Sequence, residues 1–257
     1  MKETESNNFE KLLKIMDELR EKCPWDRKQT MDSLRHLTIE EMYELSDAII
    51  EKNYNELCKE LGDVLLHIVF YAKIGAEQGH FDMNDVIEQL NQKLITRHPH
   101  IYGEVKVDDE DAVKRNWESI KLKEGKISVL QGVPQGLPAL IKAYRIQDKA
   151  RGVGFEWTNR KDVWHKVEEE MAELQQAVEN NESFERIEDE LGDVFFSLIN
   201  YARFINQNPE DALERTNRKF IRRFQHMEKR AKENGLAINE LSLKQLDLWW
   251  NEAKQTE

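Results

Sequence analysis

Apolar residues recur at helical spacing along most of the chain. Positions 9, 12, 13, 16 and 19 are apolar and predict an amphipathic helix over Phe9–Arg20. Thr38-Ile39-Glu40-Glu41 has the form of a capping box and predicts a helix from Thr38 to about Glu51. Another apolar face predicts a helix over Asn55–Ile74. Further helices are predicted near 83–96 and 109–124. Short connections between such helices favour antiparallel packing in an all-α bundle.

The helical pattern occurs twice. Glu40-Glu41-Met42-Tyr43-Glu44, followed by Glu60-Leu61-Gly62-Asp63-Val64, matches Glu169-Glu170-Met171-Ala172-Glu173, followed by Glu190-Leu191-Gly192-Asp193-Val194. Other pairs repeat at offsets of about 126 to 133, as a whole-unit duplication would produce. These pairs are Trp25 with Trp157, Tyr71 with Tyr201, Lys93 with Lys219, Arg97 with Arg223, Trp117 with Trp250, and Lys121 with Lys254.

A glycine- and proline-rich segment separates the two copies. Residues 125–138 contain three of the 11 glycines and two of the five prolines, a composition typical of a linker. The predicted organisation is therefore an N-terminal helical domain over 1–124, a linker over 125–138 and a C-terminal helical domain over 139–257.

Composition narrows the functional classes. The net charge of −12 argues against nucleic acid or an anionic membrane as a partner. No apolar run approaches the length of a membrane span, and the polar N-terminus lacks a signal-peptide core. Cys23 and Cys58 have no metal-binding spacing. We expect a cytoplasmic protein with reduced thiols.

Each repeat supplies two pairs of carboxylates at i, i+3 spacing. An isolated pair of this kind usually belongs to a solvated surface, and Glu41 could also close the capping box. However, Glu41 and Glu170 fall within the apolar arcs of their helices, where a carboxylate needs a compensating cation or hydrogen bonds. Four converging carboxylates suit Mg²⁺. The candidate ligands are Glu41, Glu44, Glu60 and Asp63 in the first repeat and Glu170, Glu173, Glu190 and Asp193 in the second.

A di-iron centre is the rival metal site. It would require Glu-x-x-His elements on two helices. The second repeat contains no such element, so the pattern favours magnesium. Gly62 and Gly192 lie between the acids and would let a neighbouring helix or a ligand approach closely.

Basic and aromatic residues accompany the acids. Residues 215–230 contain seven Lys or Arg residues and one Glu. Although such a stretch is often a solvated face, Lys219 and Arg223 are one turn apart and could hold one phosphate chain together. Trp250 and Lys254 are also one turn apart. A tryptophan at this spacing is more often part of a core, a role that Trp249 could fill instead.

Together, these features resemble the MazG family of nucleoside triphosphate pyrophosphohydrolases. The carboxylate spacing is similar to that family's EExxE…ExxD signature, and the likeness extends from about Phe9 to Lys254. The junction of the two-domain members is similar to three further stretches, which are 132–140, Arg145-Ile146-Gln147-Asp148-Lys149-Ala150 and Val153-Gly154-Phe155-Glu156-Trp157.

The resemblance implies two tandem helical domains whose four-helix bundles are completed in a homodimer. It also implies hydrolysis of ATP and other nucleoside triphosphates with Mg²⁺, for which Mn²⁺ could substitute. The second carboxylate quartet would hold the metal, and Glu169 would orient or deprotonate the attacking water. The implied nucleotide-binding residues are Arg186, Lys219, Arg222, Arg223, Trp250 and Lys254, with Lys93, Arg97, Trp117 and Lys121 as first-repeat equivalents.

The two repeats need not be equally active. Arg97 is followed at once by His98-Pro99, which predicts a helix stop, whereas the second basic stretch continues through Arg222 and Arg223. We therefore expect the second repeat to contain the main active site. The alternatives are a narrow house-cleaning enzyme for one noncanonical or pyrimidine nucleotide and a non-catalytic helical scaffold.

Overall fold

The computed structural model describes residues 3–103, 113, 116, 117, 120 and 127–255, and all regular elements among them are helical. The all-α prediction is therefore confirmed. The chain divides into two units, Met1–Val107 (unit 1) and Asp108–Glu257 (unit 2). None of the helices in the described part of the chain combines the length and apolar character of a membrane span.

Unit 1 is built around a helical hairpin. Its helices are α1 (Glu3–Lys22), α2 (Met31–Glu51), α3 (Tyr54–Glu77), α4 (Met83–Arg97) and α5 (Pro99–Tyr102). The side chain of Asn53 accepts a hydrogen bond from the Glu56 backbone N–H and so caps α3. Because only Lys52 and Asn53 separate α2 from α3, the two helices pack antiparallel.

The predicted start of α2 at Thr38 is wrong. The helix begins about two turns earlier, where Thr30 and Ser33 form the capping box. Thr38 lies inside the helix and donates a hydrogen bond to the Leu34 carbonyl. The capping explanation for Glu41 therefore fails, since Glu41 is far from the helix start.

The core of unit 1 joins the first three helices. Met16 of α1, Leu34 of α2 and Val69, Phe70 and Ile74 of α3 form one buried cluster. Farther along the chain, α4 ends at Arg97 and His98 occupies its C-cap. The predicted helix stop at His98-Pro99 is thus confirmed.

Unit 2 repeats the hairpin and adds a second helix pair. Its helices are α6 (Ala139–Arg151), α7 (Arg160–Glu179), α8 (Phe184–Phe204), α9 (Pro209–Glu233) and α10 (Leu243–Lys254). Asn159 and Ser183 cap α7 and α8. Trp249 is buried with Met227 and Ala231 between α9 and α10, so Trp249 fills the packing role that the sequence offered it.

The segment between the repeats is only partly described. Of the predicted helix over 109–124, the described residues 113, 116, 117 and 120 are helical and the others lie outside the described residues. Residues 125 and 126 of the predicted linker also lie outside them, and 127–138 are turns and bends. The buried Lys149 ammonium donates to the Val129 carbonyl at 3.1 Å, which ties this segment to α6.

Candidate metal and nucleotide site

In unit 2, two adjacent helices bring three acidic side chains together. Glu170 lies on α7, and Glu190 and Asp193 lie one turn apart on α8. Each offers a carboxylate oxygen within 4.8 Å of the other two. Glu190 is only 2% exposed and Glu170 only 8%, whereas Asp193 is exposed. The hairpin thus holds two buried carboxylates and opens to solvent at the third.

The donor set fits a hard divalent cation. Glu190 Oε2 is buried and has no hydrogen-bond partner, and leaving such a charged oxygen unpaired is costly. All three side chains provide oxygen, the ligand type that Mg²⁺ and Mn²⁺ prefer. Glu170, Glu190 and Asp193 are therefore the residues of unit 2 that could hold such a metal.

Two cations accompany the carboxylates of unit 2. Lys166 Nζ lies 2.8 Å from Glu170 Oε1 and 2.7 Å from Glu169 Oε1. These hydrogen bonds, with Glu169 contributing most, raise the pKa of Lys166. Arg186 is half-exposed and pairs with the buried Glu190 one turn later. Glu169 itself is exposed and borders the cluster.

Unit 1 contains a matching acidic cluster. Glu41 on α2 and Glu60 and Asp63 on α3 offer oxygens within 4.8 Å of one another. Glu60 is 5% exposed, and its Oε2 has no partner. The pKa values of Glu41 and Glu60 are both raised. Burial is the largest cause for each, and the negative charges of the neighbouring Glu44 and Asp63 add to it.

The fourth members of the predicted quartets lie outside these three-residue groups. Glu44 and Glu173 are exposed on α2 and α7, one turn beyond Glu41 and Glu170. Glu44 is near enough to raise the pKa of Glu60. The structure thus brings together three residues of each quartet and places the fourth at its exposed edge.

The repeats differ in the cations beside these acids. At the offset of 129 that relates Glu41 to Glu170, the unit 1 residue that corresponds to Lys166 is Leu37. At the offset of 130 that relates Glu60 to Glu190, the unit 1 residue that corresponds to Arg186 is Glu56. Sequence reasoning missed Lys166, although its i, i+4 spacing to Glu170 was a signal.

A polar network unique to unit 1 was also missed. Thr38 Oγ1 lies 2.8 Å from His67 Nδ1 and 2.7 Å from the Tyr71 hydroxyl. The Thr38 hydroxyl also donates to the Leu34 carbonyl, so this one side chain connects α2 with two residues of α3. His67 follows Asp63 by one turn. Val167 and Ser197 occupy the positions of Thr38 and His67 in unit 2.

The basic and aromatic residues of unit 2 lie on α9 and α10. The Arg223 guanidinium lies 5.3 Å from the centre of the Trp250 ring. The centre of the Phe220 ring lies 5.2 Å from the centre of the same tryptophan ring. Trp250 is only partly buried, so part of its surface remains accessible. Exposed cations on the same two helices are Lys219, Arg222 and Lys254.

Their first-repeat equivalents are less fully described. Lys93 and Arg97 lie on the last two turns of α4, and Lys93 borders an open pocket with His80 and Phe81. Trp117 is helical and partly buried, whereas Lys121 lies outside the described residues.

Comparisons with known proteins match both hairpins. The model of the MazG nucleotide pyrophosphohydrolase domain matches residues 29–102 and 159–228, which contain the two hairpins. A nucleoside triphosphate pyrophosphohydrolase/pyrophosphatase MazG of Thermotoga maritima is 45% identical over 251 residues, covering 96% of this chain and 95% of that protein.

Two further relatives cover the whole duplication. The nucleoside triphosphate pyrophosphohydrolase of Escherichia coli K12 is 37% identical over 98% of both chains. An uncharacterized protein, YabN, of Bacillus subtilis is 45% identical over 98% of this chain and 52% of its own length. With both hairpins matched by the domain model and full-length relatives of this similarity, the chain belongs to the MazG family.

Proposed function

We propose that this enzyme hydrolyses nucleoside triphosphates to nucleoside monophosphate and pyrophosphate in a Mg²⁺-dependent reaction, and that unit 2 contains the main active site. The observation that carries this proposal is the buried Glu190, which has one unpartnered oxygen and lies within 4.8 Å of Glu170 and Asp193. Lys166 and Arg186 beside these acids give unit 2 the mixed charge that a metal–triphosphate complex requires.

The reaction adds water across the bond between the α- and β-phosphates. Glu170, Glu190 and Asp193 would hold Mg²⁺, which would neutralise charge on the triphosphate and polarise the reacting groups. Glu169 borders the cluster and is exposed, so it can orient the water and accept its proton. Lys166 holds Glu169 and Glu170 in place through hydrogen bonds at 2.7 and 2.8 Å. Arg186 is half-exposed and can turn from Glu190 to a phosphate oxygen.

The basic helix α9 and the terminal helix α10 would hold the rest of the nucleotide. Lys219 and Arg223 are one turn apart and can contact the departing pyrophosphate, with Arg222 and Lys254 adding positive charge. Trp250 offers a ring that is oriented by Phe220 and Arg223. Stacking on such a ring accepts every base, which is the basis for proposing broad specificity.

We further propose that two copies of the chain associate through the hairpins. Five equivalent positions in the repeats are apolar and at least 37% exposed. They are Met42, Ile49, Leu61, Leu65 and Ile68 in unit 1, and Met171, Val178, Leu191, Phe195 and Leu198 in unit 2. A methyl group added at Gly62 or Gly192 would meet nothing within 4 Å. Each two-helix face is thus open to a second copy, which would complete four-helix bundles.

Pyrophosphate release from a panel of canonical and damaged triphosphates tests the activity, with and without Mg²⁺ or Mn²⁺. We expect hydrolysis of several bases that requires the metal. Turnover of one noncanonical or pyrimidine nucleotide alone would favour the narrow house-cleaning enzyme. If the panel is not hydrolysed and Mg²⁺ with nucleotide leaves the unfolding temperature unchanged, the scaffold is favoured.

Matched variants test which unit is active. Glu190→Gln removes a buried charge without changing the side-chain shape, and we expect pyrophosphate release to fall by about 100-fold or more. Glu60→Gln makes the equivalent change in unit 1 and is expected to retain the larger part of turnover. Loss of turnover in Glu60→Gln alone would assign the reaction to unit 1.

A further inference from the structure

The terminal helix α10 packs on α9 through an apolar contact. Trp249 packs against Met227 and Ala231 of α9. Ala253, one turn after Trp249, is also buried. Since an isolated helix of twelve residues has little stability of its own, the orientation of α10 depends on its contacts with α9, including those at the two borders of this apolar strip.

Trp250 and Glu252 lie on opposite sides of the buried face of α10. At about 100° per residue, Trp249 and Ala253 are only about 40° apart and define the middle of this face. Trp250 lies about 80° from the middle on one side, and Glu252 lies about 80° from it on the other. A rotation of α10 that moves Glu252 away from α9 must therefore also move Trp250.

Glu252 contacts two basic side chains of α9. Its carboxylate lies 3.2 Å from Arg230 Nε, accepts a hydrogen bond from the same guanidinium at 3.5 Å and lies 3.6 Å from His226 Nε2. Ion pairs between fully exposed side chains contribute little to stability. Here, however, Arg230 Nε and His226 Nε2 are shielded from solvent and make no hydrogen bond to described residues. Water therefore cannot take the place of the glutamate at these two nitrogens.

The orientation of α10 matters because of what Trp250 contacts. The centre of its ring lies 5.3 Å from the Arg223 guanidinium and 5.2 Å from the centre of the Phe220 ring. Arg223 is also one of the α9 side chains proposed to contact the pyrophosphate. The orientation of α10 thus determines the distance between the ring that would stack on the base and the side chains that would bind the phosphates.

We propose that Glu252 is a positioning residue for the nucleotide. By contacting Arg230 and His226, it fixes the orientation of α10 in which Trp250 lies beside the phosphate-binding side chains of α9. Glu252 acts through Trp250 and not through a contact of its own with the nucleotide. The inference rests on the proposed function, because it requires that the base stacks on Trp250 while the phosphates contact α9.

Isothermal titration calorimetry of the full-length protein with Mg²⁺ and a non-hydrolysable ATP analogue tests this role. Glu252→Gln keeps the shape of the side chain and removes its charge. We expect the Kd for the analogue to rise by about three- to tenfold, which lies within the range that stacking on one ring contributes. The Kd for inorganic tripolyphosphate, which has no base, should stay unchanged. Equal weakening of both ligands, or no weakening of the analogue, would overturn the proposal.

Glu233→Gln is the matched control. Glu233 lies 3.6 Å from Arg230, but both residues are on α9, so this variant removes a contact of the same arginine without releasing α10. Its affinity for the ATP analogue should equal that of the wild type, whereas Arg230→Gln should reproduce the loss expected for Glu252→Gln. A loss in Glu233→Gln as large as that in Glu252→Gln would count against the proposal.

A double-mutant cycle separates a role through Trp250 from a general effect on the fold. In a Trp250→Ala background, Glu252→Gln should cause no further loss of affinity, and a full additional loss would refute positioning through Trp250. Thermal unfolding checks that each variant is folded. If the wild type binds neither the ATP analogue nor tripolyphosphate, the proposed function fails as well, whereas nucleotide binding that is insensitive to Glu252→Gln refutes only the role of Glu252.

Discussion

The exposed apolar face of the second hairpin allows a quantitative test of self-association. Phe195 on α8 is 58% exposed, and a phenylalanine has about 150–250 Å² to bury. About 100 Å² of the Phe195 side chain thus remains available. Burying this area at about 25 cal/mol/Å² would contribute about 2.5 kcal/mol to the free energy of association for each subunit. Because a two-fold interface uses the same residue twice, Phe195→Gln should weaken association by about 5 kcal/mol, or three to four orders of magnitude in Kd.

Sedimentation equilibrium over a range of protein concentrations measures this effect. We expect a wild-type dimer and a shift of Phe195→Gln toward monomer, with Leu65→Gln at the equivalent position of unit 1 adding to the shift. Leu243→Gln is the control, because Leu243 is 74% exposed at the start of α10, away from the hairpin. A wild-type chain that stays monomeric, or a Phe195→Gln variant no weaker than Leu243→Gln, would refute the reasoning.

Three further experiments test the local chemistry. In metal-free protein, burial raises the pKa of Glu41 and Glu60 above 4.5, so the unfolding temperature should fall as pH rises beyond 4.5, and Glu60→Gln should reduce this dependence. Trp250→Ala should weaken binding of every nucleotide by about 5- to 150-fold in calorimetric titrations, whereas Trp249→Ala should mainly destabilise the fold, by about 3–5 kcal/mol. Thr38→Val should cost about 1–3 kcal/mol in denaturant unfolding, because it removes the hydrogen-bond partner of the buried His67 and the partly buried Tyr71.

Periodic features of the chain were predictable from local sequence. The apolar spacing located α3, and the repetition of the acids located both clusters. The core role of Trp249 also followed, since two adjacent tryptophans on a helix face different sides. These predictions depend on residues a few positions apart, which a helix places in a fixed relation.

The start of α2 and the hydrogen bonds of Thr38 were not predictable from local spacing, because two residue pairs had the spacing of a cap for the same helix. Thr38 with Glu41 has the spacing of a capping box, but Thr30 with Ser33 caps the helix instead. The Thr38 hydroxyl is then free to join Tyr71 on α3. Which of two local signals prevails depends on the packing of α1 and α3 against α2, and spacing alone does not encode that packing.

The divergence of the two repeats is best understood through their charges. Three carboxylates within 4.8 Å repel one another, and a folded hairpin must offset that repulsion. Unit 2 does so partly with Lys166 and Arg186, which leaves a site whose cations can turn to phosphate. Unit 1 has Leu37 and Glu56 there, and burial with the charges of Glu44 and Asp63 raises the pKa of Glu60. The same acidic pattern is thus stabilised by neighbouring cations in unit 2 and favours proton uptake in unit 1.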